Sequence, residues 1–228
     1  MRKIMDCCLR RPASVTWLMA GTTLALLLLA ALPTAAPSLF PFLHGAKIDT
    51  DPENMLSPQE PVRVFHNAKK KEFALADMLV VGVVNDRAPD HVFNPATLRD
   101  VHDLTEYAKT LRGAAIGKPD DPQAGVIEID ILAPSTVDNV EQGGLGSVRF
   151  EWLMPEPPAT PEAARAVRDK AMNLPFMKGT LVSEDGQALA LYIPLTDKHL
   201  SYAVARRLKE KIASFTSGDE YHITGLPV

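Results

Sequence analysis

The chain has 228 residues and a formal net charge of −4, with 46% apolar and 6% aromatic residues. At roughly 100 to 200 residues per domain this is one folded domain with room for an attachment, which excludes a multi-domain enzyme within the chain and a disordered or collagen-like polymer. Arg2, Lys3, Arg10 and Arg11 against Asp6 give the first twelve residues +3 and leave 20 basic and 27 acidic residues for the rest; an acidic body does not attract phosphate backbones, so nucleic acid is not an expected partner.

Ala13 to Leu32 is a run of twenty residues without a charge, and none follows until Lys47. At 1.5 Å per residue it reaches about 30 Å, the thickness of a bilayer core. The basic residues precede the run and Asp49, Asp51 and Glu53 follow it, so the positive-inside bias predicts a cytoplasmic N-terminus (1–12), a transmembrane helix with a Pro-rich exit at Pro33, Pro37 and Pro41 (13–43), and an extracytoplasmic body (44–228). A cleaved secretory signal is the alternative, because the small residues Thr34-Ala35-Ala36 follow the run. Against it, the run exceeds the roughly 7 to 15 residues of a signal core, and Pro37 would begin the mature chain. Arg10-Arg11 also fits a twin-arginine signal, but an Arg pair beside a span is commonplace. Cys7 and Cys8 precede the run and form no disulfide framework; they read as reduced thiols, with acylation as the sharper alternative.

In the body, Ser57-Pro58-Gln59-Glu60 predicts a capped helix start, with Val62, Phe65 and Phe73 on one face through about Ala74. Met78–Val84 is an apolar, largely β-branched run expected of a buried central strand. Asn94-Pro95 caps a second helix carrying Leu98, Val101, Leu104, Ala108 and Leu111 and ending at Gly113. Gly117–Gly125 is a loop by composition, and Val126–Ile131 alternates apolar and acidic residues like a strand with one wet face. An irregular insertion (133–178) holds the Gly-rich Gln142–Gly146, then Val148–Trp152, the prolines Pro155, Pro157 and Pro158, and a short helix from Pro161 capped by Thr160. Gly179–Ser183 and Ala188–Ile193 flank Glu184-Asp-Gly-Gln187 as a hairpin. Leu200, Val204, Leu208, Ile212 and Phe215 stripe a helix from about Lys198 to Ser214, and Tyr221–Thr224 is the last strand. Without the insertion the order is strand, helix, strand, strand, helix, strand: an α+β fold of split βαβ, ferredoxin-like type behind a transmembrane helix.

Motifs for chemistry are weak. Gly113-Ala-Ala-Ile-Gly117-Lys118 is one residue short of a phosphate loop, and Pro119 replaces the Ser or Thr that holds magnesium. Asp49, Asp51, Glu53 and Glu60 fall at calcium-loop places, but Asn54 replaces the required Gly and Pro52 and Pro58 interrupt. His44, His66, His91, His102, His199 and His222 have no pair at three- or four-residue spacing, so no helical metal face is drawn. Ser135, Ser147, Ser183 and Ser201 lack a nucleophile elbow. Glu128 and Asp130 share a strand face about 7 Å apart, suited to paired-carboxylate chemistry but equally to a solvated face. Lys69-Lys-Lys-Glu72 reads as a solvated helix face. No catalytic, cofactor-binding or metal residue is assigned, and no enzyme is expected.

At Ile48-Asp-Thr-Asp-Pro-Glu-Asn-Met-Leu56, directly after the apolar run, the sequence resembles exporters of the resistance-nodulation-division superfamily, in the branch grouped with the MMPL and hydrophobe/amphiphile exporters. The likeness continues through Glu60–Asn67, Val80–Val84, Val92–Leu98, Ser135–Val140, Val148–Met154, Gly179–Gly186 and Ile223–Val228, nearly the whole chain from Ile48. The resemblance implies a proton-driven transporter of the bacterial inner membrane whose first span is followed by a periplasmic porter region, and whose proton-carrying acids lie on later spans. The expected partners are then the bilayer, the remainder of the permease and a hydrophobic or amphiphilic cargo, lipids included; a homo-oligomer is left open. The run Ala13 to Leu32 has no acid, base or His, and the chain ends where that family continues into its second span, so a fragment unable to pump alone is expected. The alternative is a membrane-anchored periplasmic binding or assembly module, with Gly143, Gly144, Gly146, Trp152 and Pro155 to Pro158 as a partner loop.

Overall fold

The computed structural model describes residues 10–35, 52–144 and 146–225, and the chain divides into two compact units, Met1–Ser57 and Pro58–Val228. In the first, helix α1 spans Pro12–Ala35, 24 residues or about 36 Å. Its stretch Pro12–Leu32 has a mean hydropathy of 2.0 and is long and apolar enough to cross a membrane. The hydroxyls of Thr16 and Thr22 donate to the carbonyls of Pro12 and Leu18, so both polar groups are satisfied within the helix. The helix runs on through Pro33, where an irregular exit was expected. Arg2, Lys3, Cys7 and Cys8 of the basic start, the prolines Pro37 and Pro41, and Ile48 to Asp51 of the resemblance lie outside the described residues. A 3-10 turn at Pro52–Met55 follows.

The second unit is a mixed α+β structure. Helix α2 (Pro61–Glu72) begins later than the Ser57-Pro58 signal predicts. A start at Pro58 would place Pro61 where the first intrahelical N–H is needed; Pro61 instead takes the first helical position and forces Glu60 into extended backbone at ψ 128°. No residue of α2 is buried, so the predicted face of Val62, Phe65 and Phe73 has no core beneath it.

Strand β1 (Asp77–Val84) is central, as its apolar run predicts, although only one face is sealed: Leu79, Val81 and Val83 are fully buried. Helix α3 (Pro95–Lys109) starts at Asn94, whose side chain accepts from the Ala96 and Thr97 amides at 3.0 Å. Its stripe Leu98, Val101, Leu104 and Ala108 enters the core. The predicted strand Val126–Ile131 is not formed; a 3-10 turn, Glu128–Asp130, takes its place.

An exposed two-stranded hairpin follows, β2 (Asp138–Gly144) against β3 (Ser147–Trp152), pairing Val140 with Phe150 inside the segment read as irregular. Helix α4 (Pro161–Asn173) is longer than predicted and keeps its Thr160 cap, which accepts from the Ala163 amide. Strand β4 (Ala188–Leu195), a 3-10 turn at Lys198–Leu200, helix α5 (Ser201–Ile212) and strand β5 (Glu220–Gly225) complete the order. The sheet order is β4-β1-β5, antiparallel throughout. Leu189, Leu191 and Ile193 of β4 join Val204 and Leu208 of α5 in the same core as β1 and α3.

The outer edge of β4 explains the missing strand. Tyr192 exchanges both backbone hydrogen bonds with Leu132, at 2.9 and 3.0 Å. Two residues on, Pro194 has no N–H, and only its carbonyl is used, by the Ile127 amide at 2.9 Å. The ladder cannot continue there, and the residues between the two contacts wind outward, leaving Ile131 buried and Ile129 90% exposed. The hairpin before β4 is likewise only partly formed. The Met177 carbonyl gathers the amides of Thr180, Leu181 and Val182, so the chain is still turning when β4 needs a partner. Leu181 and Ser183 alone bond to it, and the predicted strand Gly179–Ser183 reduces to a bridge at Val182.

Candidate functional site

The C-terminal half of α3 forms one wall of a cleft of about 620 Å³, within the size range of small-ligand sites. His102, Glu106 and Lys109 sit at helical spacing on that wall and Arg112 continues it. Lys109 is paired with Glu106 at 2.6 Å. Arg112 donates from Nε to the Val126 carbonyl at 2.9 Å, fixing the segment that leads into the Glu128–Asp130 turn. That turn supplies Glu128 and Ile129, while Ser135, Thr136, Trp152 and Pro155 line the remaining sides. Thr136 anchors its own bend by donating to the Ile131 carbonyl at 2.6 Å and accepting from the Ala133 amide at 3.0 Å.

The cleft is chemically mixed. Ile129 and the half-exposed Trp152 give it apolar surface, and two acids and two bases stand around them. His102 Nδ1 and Ser135 Oγ are buried without a hydrogen-bond partner, and the Asp103 carboxylate is 3.7 Å from that nitrogen, beyond bonding reach. Such groups lose free energy unless something supplies the missing bond. The cleft thus sets the charged side chains of Glu106, Lys109, Arg112 and Glu128 beside the apolar surface of Ile129 and Trp152.

A second polar cluster closes the end of the sheet. Asp219 Oδ1 accepts from Asn85 Nδ2 at 2.6 Å and from Thr97 Oγ1 at 3.0 Å, while Asp219 Oδ2 is buried without a partner and Ser217 stands beside Asp100 and Tyr221. Burial pushes the Asp100 carboxyl above its ordinary range, with Asp219 and Asp103 adding to the rise and Ser217 opposing it. Burial likewise raises the Tyr221 phenol, with the Asp219 and Asp100 charges adding to it. The cluster ties the first turn of α3 to the approach to β5. Asp100 and Asp219 carry no motif, and only the fold brings them together.

Of the residues singled out in sequence, His102, Glu128, Ser135, Trp152 and Pro155 meet in the cleft. The others stay apart. Asp130 shares a turn with Glu128 instead of a strand face, so the expected 7 Å pairing of their side chains is not built. His66 is exposed on α2, His91 sits in a turn at φ 51°, His199 in a 3-10 turn and His222 on β5; His44 is outside the described residues. Ser147 begins β3, Ser183 bonds Asp185 at 2.6 Å, and Ser201 is buried at the start of α5. Gly113–Ile116 is a 3-10 turn, and Lys118 shares a surface depression with Asp120 and Asp121, an acidic setting that disfavours phosphate. Asp49 and Asp51 of the calcium spacing, and the side chain of Glu53, are outside the described residues; Glu60 precedes α2. Among the described residues no group of three or more His, Cys, Asp or Glu is placed to hold a metal. Gly143 and Gly144 end β2, and Gly146 follows at the hairpin tip. No family model and no curated protein matches the chain.

Proposed function

We propose that this chain is the membrane-anchored, cargo-contacting portion of an exporter of the resistance-nodulation-division type, with its N-terminus cytoplasmic and its α+β unit periplasmic. The observation that carries the reading is the cleft beside Trp152 and Ile129, an apolar surface flanked by charges of both signs on a domain that follows an apolar helix of membrane-spanning length. Its cargo is a hydrophobic or amphiphilic compound, lipids included, and its partners are the bilayer and the remaining helices of a permease. The unit is of ferredoxin-like type in this reading: β5, β1 and β4 are three strands in the order of a split βαβ sheet, and Ile127 and Leu132 occupy the fourth place along β4. The α1 helix carries no ionisable side chain from Pro12 to Ala35, so proton coupling falls to other helices and these residues do not pump alone.

The reading is tested by sizing the product made in the membrane and sequencing the frame beyond the codon for Val228. A product continuing into further apolar spans, with amphiphile export that fails when the Trp152 cleft is blocked, is expected. Gradient-driven export by the 228 residues alone would overturn it. A complete product of about 25 kDa without export would replace it by the second reading that the cleft supports, an anchored periplasmic binding module.

A further inference from the structure

The amphipathicity of α2 is turned outward. At about 100° per residue, Pro61, Val62, Val64, Phe65 and Ala68 share one side, and Arg63, His66, Asn67 and Lys70 the other. Every residue of Pro61–Glu72 is exposed except Arg63, Lys69 and Lys70, which are half-buried. Arg63 and Lys70 lie on the cationic side, which is held by Lys70 on Asp77 at 2.8 Å, whereas Lys69 falls on the apolar side beside Phe65 and Phe73. The open side is apolar, and Phe73 and Leu75 extend it past the helix end. A helix packed on its own domain shows the reverse arrangement, so the stripe on α2 serves something outside the unit.

Two observations select the occupant. The first is charge. Residues 58–75 hold four basic and two acidic side chains, whereas residues 76–228 hold 15 basic and 22 acidic ones, so α2 is a cationic island on an acidic body. At the same 100° per residue Lys71 borders the apolar stripe at one edge, while Lys69 and Glu72 fall within it at its C-terminal turn. The Lys69 ammonium lies 5.8 Å from the Phe65 ring and 5.7 Å from the Phe73 ring, and pairs at 2.6 Å with Glu72, the acid on that side. Long cations beside partly exposed rings suit the boundary between headgroups and acyl chains. The second is the chain itself: 25 residues separate Ala35, the last of α1, from Pro61, a tether of at most about 90 Å. Resting on α1 as a membrane span, but not on export, we propose that α2 is an interfacial helix. It places Val62, Phe65 and Phe73 at the acyl boundary of an anionic bilayer and turns Lys69 and Lys71 to its phosphate headgroups.

The test uses the full chain with Cys7→Ser and Cys8→Ser and a single environment-sensitive fluorophore, introduced through Leu27→Cys, Val62→Cys, Phe65→Cys, Asn67→Cys or Tyr202→Cys. The protein is reconstituted into phosphatidylcholine vesicles with or without phosphatidylglycerol, doped with lipid bearing a shallow nitroxide quencher. The expected result is quenching at positions 62 and 65 about twofold stronger than at 67 and 202. It should grow with phosphatidylglycerol and fall in the Lys69→Gln/Lys71→Gln variant. Quenching at 27 with none at 62 and 65 would overturn the interfacial helix while leaving the span intact. No quenching at 27 would remove the span and the inference together. Shielding at 65 without lipid quenching, accompanied by crosslinking between copies, would overturn it in favour of a second chain, and indifference to phosphatidylglycerol would overturn the headgroup contact.

Discussion

The Lys70 ammonium lies 2.8 Å from each carboxylate oxygen of Asp77, linking the last turn of α2 to the first residue of β1. Because both side chains remain partly exposed, Asp77→Asn should cost no more than about 1 kcal/mol of global stability. It should nevertheless release α2, read as faster amide exchange across Pro61–Glu72 with unchanged exchange in β1.

Asn94 holds the start of α3 with more than a cap. Besides accepting from two amides, its Nδ2 donates to the His91 carbonyl and to Thr97 Oγ1, both at 2.7 Å. Asn94→Ala is expected to lose about 2 kcal/mol, the upper end of cap substitutions. Thr160→Ala, which gives up one bond of 3.3 Å, should lose about 0.5 kcal/mol. Denaturant unfolding of the two variants measures the difference.

Gly125 sits at φ +139°, where an added Cβ would come 2.3 Å from the Leu111 carbonyl oxygen. Gly125→Ala should therefore cost about 3 kcal/mol or more, combining a disfavoured conformation with a backbone collision. Gly117 has φ +79° but open space around it, so Gly117→Ala should cost only about 1 kcal/mol. Thermal unfolding of the pair separates strain from collision.

Asp100 gives a pH signature. Its folded-state carboxyl is raised above the ordinary value of 3.8, chiefly by burial. Between the unfolded and folded values the native state binds more protons, so stability falls as pH rises through that window. Asp100→Asn removes the ionisation. The variant should gain on the parent as pH increases from below 3.8 and hold a constant advantage above the folded value. Parallel denaturation curves from pH 3 to 7 check the sign.

Elements governed by local rules were legible in sequence. The apolar length of α1, the Asn94-Pro95 cap with its stripe, and the apolar face of α5 each follow from patterns within one element. What escaped depended on a neighbour. Val126–Ile131 has a strand's alternation, but Pro194 of β4, distant in sequence, withholds the donor it would pair with. The hairpin β2–β3 was hidden because Gly143 and Gly144, which end β2, lie in a polar Gly-rich stretch that reads as loop. For α2, periodicity revealed the apolar face but not its direction, which the Lys70 to Asp77 pair sets. The site divides in the same way: His102, Glu128, Ser135 and Trp152 were visible as residue types, yet their meeting in one cleft is a property of the fold.

The most direct test of the account is whether that cleft takes an amphiphile. The protein has two tryptophans, Trp17 and Trp152, so Trp17→Phe leaves the cleft residue as the sole reporter. With this variant in lipid nanodiscs, titration of a short-chain lysophosphatidylcholine below its micellar concentration should give a saturable blue shift of Trp152 emission. Adding Ile129→Asp, at a position exposed in the free protein, should abolish it. A shift that never saturates, or one that survives Ile129→Asp unchanged, would contradict a cargo site in the cleft.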